Sequence, residues 1–128
     1  MKDLDSATLL LTMAQKDLQV AQILLASNQK LDESIGFHAQ QAVEKALKAW
    51  LAILEKEAPR THNLRLLILL LEENGVDVGH LWDFAELSPF AIQLRYETLG
   101  DMESGMDLKT VLDKVEGLIR YVNSLKLR

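Results

Sequence analysis

Apolar residues recur at three- and four-residue spacing along almost the whole chain, which is the period of an α-helix. Leu9, Leu10, Met13, Ala14, Leu18, Ala21, Leu24 and Leu25 form a broad stripe. It predicts a first helix from near Ser6 to about Ser27, with Asp5 or Ser6 capping its free amides. After the polar break Ser27–Asn28–Gln29–Lys30, a second helix is predicted from about Asp32 to Lys56. Asp32 and Glu33 suit its positive end, and Ala58–Pro59–Arg60 ends it, because the residue before a proline avoids the helical region.

A third helix is expected from about Asn63 to Glu73, where Leu66 to Leu71 are apolar without interruption. The run alone would also suit a strand, but leucine favours helix and no β-branched cluster stands there beyond Ile68. A helix apolar all round is expected to be buried on several sides. Asn74–Gly75 stops it, the glycine supplying a left-handed cap. A broken helical stretch from Val78 to Tyr96 splits at Ser88–Pro89, which reads as an N-cap followed by proline at the first helical position. Gly100 to Met106 is the longest polar loop, and Asp107 caps a last helix running to about Leu125. The expected fold is all-α, an up-and-down antiparallel bundle of four to five helices in a single domain over residues 1–128.

Length and composition narrow the function. A chain of 128 residues suffices for one core. With no cysteine there is no disulfide framework, thiolate metal site or thiol nucleophile. No apolar run reaches membrane-spanning length, and the acidic start Met1–Lys2–Asp3–Leu4–Asp5 is unlike a secretion signal, so a cytoplasmic protein with no membrane partner is expected. A net charge of −5 argues against non-specific binding of nucleic acid, although a local basic pocket remains open.

The chemistry gathers in Phe37–His38–Ala39–Gln40–Gln41–Ala42–Val43–Glu44–Lys45–Ala46–Leu47–Lys48–Ala49–Trp50–Leu51. Ala39, Ala42, Val43, Ala46, Trp50 and Ile53 share one side of this helix; Gln41, Glu44, Lys45 and Lys48 share the other. Phe37 projects near Gln41 and Glu44, and an aromatic on a wet face calls for a cover such as a second subunit. Glu44 and Lys48 have the spacing of a surface ion pair, or belong to an interfacial polar network. Gln41 and Lys45 suit a phosphate or carboxylate, or are simply solvated. His38 lies at the edge of the two faces, as a structural histidine would. His62 either helps cap the third helix or joins Arg60 and Arg65 in a cationic spot at its positive end. Arg95 beside Tyr96 offers a planar cation and a stacking ring for a nucleotide, or pairs with a carboxylate such as Glu44. The three histidines lack metal-ligand spacing, no glycine-rich phosphate loop occurs, and no cofactor is implied.

Phe37 to Lys48, then Pro59–Arg60–Thr61–His62–Asn63–Leu64, then Leu94–Arg95–Tyr96, resemble the HEPN domain family in content and order. The resemblance spans nearly the whole chain and implies a helical bundle that usually dimerises. It also implies, for a small prokaryotic member, a minimal nucleotidyltransferase partner in a toxin–antitoxin-like pair, and in several branches metal-independent RNA cleavage. Those ribonuclease branches carry an Arg followed four to six residues later by a His. No histidine of this chain, His38, His62 or His80, has that Arg before it, so the motif is absent and catalysis is not the expectation.

The leading expectation is a homodimeric HEPN-like module working with a nucleotide or a nucleotidyltransferase. Gln41, Lys45, Lys48, His62 and Arg95 would bind the ligand, with Phe37, His38, Glu44 and Tyr96 in structural or interface roles. An RNA-cleaving enzyme using His62 and Arg95, and a purely structural interaction domain, are the alternatives.

Overall fold

Helix α1, Leu4–Ala26, is set in place by Asp3, whose carboxylate accepts from the Ser6 amide at 3.1 Å. The cap is thus Asp3, rather than Asp5 or Ser6, both of which lie inside the helix. The computed structural model describes residues 3–90 and 107–128. Within them follow α2 (Asp32–Ile53), α3 (Leu64–Glu73), a 3-10 helix (Gly79–Leu87) and α4 (Leu108–Leu125). No strand occurs among the described residues, and the fold is an all-α bundle. Arg95, Tyr96 and the polar loop from Gly100 to Met106 lie outside the described residues.

Helices α2 and α4 both run opposite to α1. The Asp3 amide at the start of α1 donates to the Ala52 carbonyl at the end of α2, at 3.2 Å. The Lys126 ammonium just past α4 donates to the Thr8 hydroxyl near the start of α1, at 3.1 Å. Helix α2 is central and touches every other element. Its expected inward residues Ala39, Ala42, Val43, Ala46, Trp50 and Ile53 are all buried, joined by Leu47 and Leu51.

Two helix ends differ from expectation. Helix α2 stops at Ile53, short of Lys56, through backbone geometry and not through Pro59. Glu55 takes a left-handed φ of 62°, its amide donates to Ala52, and the Lys56 amide donates to Leu51. That pair of bonds closes the last turn as a Schellman motif. The same motif ends α3, where Gly75 at φ 86° supplies the left-handed residue as foreseen. Between them, Asn63 caps α3 by accepting from the Leu66 amide.

Helix α3 is not buried all round: Leu64, Leu67, Ile68 and Leu71 face the core, whereas Leu66 and Leu69 face outward. The stretch after it is a 3-10 helix for a reason visible in its spacing. Val78, Leu81, Phe84, Leu87 and Phe90 recur every three residues and are all buried. Three residues per turn lines them up on one side, which the α-helical period would not do. Ser88 has helical dihedrals (φ −53°, ψ −41°) and is no N-cap; residues 88–90 are already a helical turn. Phe90 lies hard against Gly36 of α2, where a Cβ would stand 2.0 Å from the ring.

Helix α1 holds apolar residues on two sides. Ala7, Leu11, Ala14, Leu18 and Ala21 enter the core. Leu9 and Met13, expected inward, face outward with Val20 and Ile23; Leu9 and Ile23 are each 61% exposed. This outward row at 9, 13, 20 and 23 follows the spacing of a coiled-coil seam, with the exposed Lys16 at the intervening seam position.

Candidate functional site

The polar face of α2 is a connected network. Glu44, only 3% exposed, is at its centre. Its Oε1 accepts from His62 Nδ1 at 2.8 Å and from Gln40 Nε2 at 3.2 Å, while Oε2 accepts from Lys48 Nζ at 3.1 Å. Gln40 is fully buried and fully satisfied: its amide also donates to the His62 carbonyl, and its Oε1 accepts from Gln41 Nε2 at 2.7 Å. A second carboxylate, Asp17 of α1, repeats the pattern. It accepts from His38 Nδ1 at 2.9 Å and from Lys45 Nζ.

The site is therefore two carboxylate–lysine–imidazole clusters on adjoining turns, with Gln40 and Gln41 extending the bonds around Glu44. Buried charges need partners of this kind, because an unpaired carboxylate in a poorly hydrated place is costly. Since an ionised carboxylate only accepts, each imidazole carries its hydrogen on Nδ1 and keeps Nε2 for another partner. His62 is well placed to use it, with its side chain 54% exposed.

Of the expected ligand-binding residues, Gln41, Lys45, Lys48 and His62 are brought onto one surface, while Arg95 lies outside the described residues, as does Tyr96. The lysines are not free cations: each neutralises a carboxylate. Glu44 is a buried hub, not a surface pair. His62 does not cap α3, which Asn63 does, but turns to Glu44. His38 has its structural partner in Asp17, and Phe37 is half-buried, its ring edge-on to His38 at 5.3 Å between centroids.

Asp17 and Gln40 were missed in the sequence. Asp17 had a signal: it is the one acid in the middle of α1, between Ala14 and Leu18 of the buried stripe. Its neighbours on the helix are Met13 and Val20, so the outward apolar row of α1 borders this network directly. Among the described residues no group of three histidine and acidic side chains could hold a metal ion, and no helix is long and apolar enough to cross a membrane.

An antiparallel helical bundle with a polar network on its central helix defines the class. The chain belongs to the HEPN domain family, whose model matches residues 7–125. No curated protein and no solved structure matches it significantly.

Proposed function

We propose that this HEPN domain is an interaction module that pairs with a second copy through the outward row of α1 and presents the polar face of α2 beside that contact. The observation that carries the reading is adjacency. Met13 and Val20 flank Asp17, so apolar surface and charged network form one continuous face. Leu9, Met13, Val20 and Ile23, spread over about 21 Å of helix, are an unusual row of exposed apolar side chains for a lone domain. Phe37 lies at the edge of this face and would be covered with it. With Nδ1 donating to Glu44, the Nε2 of the half-exposed His62 is an acceptor, which suits a hydroxyl or amino donor of a nucleotide or a donor group of a minimal nucleotidyltransferase, the partners the family resemblance implies. The net neutrality of the two clusters supports hydrogen bonding over bulk charge attraction.

Size-exclusion chromatography with light scattering tests the pairing. Wild type should run at twice the chain mass; L9E/I23E and, more weakly, F37E should run as monomers. A wild-type monomer at tens of micromolar overturns it. Calorimetric titration with nucleoside triphosphates tests the ligand, and no heat with or without the partner leaves a purely structural module.

The His62–Glu44 pair favours a second reading, RNA cleavage, because a carboxylate-oriented imidazole is competent for proton transfer. Incubating RNA with the protein and a chelator decides it: cleavage that persists in His62→Ala, or no cleavage at all, removes this assignment.

A further inference from the structure

On the far side of α2 from this network, the 3-10 helix and α4 leave a cleft of about 460 Å³. Its walls are His80, Asp83 and Phe84 from the one and Lys114, Gly117 and Tyr121 from the other. An adjoining hollow of about 550 Å³ shares His80 and Tyr121 and reaches Trp50, whose ring meets Tyr121 edge-on at 5.3 Å. The size is that of small-molecule sites.

One residue of the cleft is unexplained by folding alone. Gly117 sits inside α4, where glycine weakens a helix, yet a Cβ there would meet nothing within 4 Å. Packing therefore does not demand glycine, and its effect is a notch that exposes helix backbone to whatever fills the cleft. The facing wall is a 3-10 helix of 9 residues, against the usual run of about three or four. Its three-residue period puts His80 beside Asp83 on the exposed rim, with Phe84 of the buried row at the base of the cleft.

We propose that this cleft binds a flat heteroaromatic small molecule. Its faces lie against Phe84, Tyr121 and the bare backbone at Gly117, and its polar edge meets His80. Aromatic walls favour a ring, since stacked and edge-on ring contacts add to simple burial. His80 and Tyr121 can each donate and accept, which suits a ring edge carrying both kinds of group. Lys114 and Asp83 pair at 3.7 Å with both side chains well exposed, so the pair opens or closes at little cost and does not bar entry.

The test is amide chemical-shift mapping of the full chain with adenosine and with indole as probes. Saturable shifts centred on His80, Gly117 and Tyr121 are expected for at least one probe. Gly117→Leu, whose Cβ meets nothing within 4 Å, puts bulk into the notch and should weaken that binding at least about tenfold while leaving the melting temperature equal or higher. His80→Ala, at an exposed position, should weaken it as well. No saturable shift with either probe, or unchanged affinity in Gly117→Leu, overturns the proposal. So do adenosine shifts confined to Gln41, Lys45 and Lys48, and those would support the α2 face instead.

Discussion

Glu44 decides how the polar face of α2 is to be weighed. On an open helix surface its i, i+4 pair with Lys48 would be worth a few tenths of a kcal/mol. Buried beside Gln40, with His62 as a third partner, it is a hub whose loss leaves other polar groups stranded. Glu44→Ala should therefore cost about 3 kcal/mol in urea unfolding, the range seen when one member of a buried ion pair is removed. His62→Ala should cost far less, because that side chain is already half in water. Equal costs for the two would show that Glu44 is not the hub. The pair with Lys48 was legible because spacing on one helix is written in the sequence. The partnership with His62, eighteen residues on, and that of Asp17 with His38 and Lys45 were not, since they depend on how α1 and the turn before α3 dock against α2.

At the scale of elements, helix existence was legible and helix ends were less so. Periodicity placed every described helix, because a core-facing stripe must follow the helical repeat. Ends depend on single backbone dihedrals: Gly75 announced its left-handed turn, whereas Glu55 adopts the same conformation with no glycine to signal it. The contact between α2 and the turn at residues 88–90 was equally silent. Gly36→Ala forces Phe90 aside, with a cost of about 1–3 kcal/mol as for other overpacked cores, and should lower the thermal midpoint by several degrees. The Asp107 cap was legible and makes a prediction with a sign. The Thr110 hydroxyl, then the Thr110 backbone amide, hold its carboxyl below the ordinary value, with Lys109 adding to the effect against slight desolvation. A lowered native pKa means that the cap contributes above the ordinary carboxyl value of about 4 and is lost as pH falls through the lower native value. The stability gap between wild type and Asp107→Ala should thus be full above the ordinary carboxyl range and shrink as the pH falls below it. A gap that does not change with pH would mean the carboxylate is not what stabilises this end of α4.

Among the described residues, the molecule combines one continuous core with an α1 that is apolar on two sides. Ala7, Leu11, Ala14, Leu18 and Ala21 account for the bundle; Leu9, Met13, Val20 and Ile23 do not take part in it. In sequence the two rows merge into one broad stripe, because the period shows that a helix is amphipathic but not how wide its neighbours are. If the outer row is covered by a second copy, folding and association are linked, and stability must rise with protein concentration. For wild type the thermal midpoint should increase by a few degrees for each tenfold rise in concentration across the micromolar range. L9E/I23E should show a midpoint independent of concentration, close to that of dilute wild type, because these side chains are mostly exposed in the monomer. A midpoint in wild type that stays flat with concentration, alongside an unchanged midpoint in the variant, would leave the outward row without a partner of its own kind and would point to a different protein as its cover.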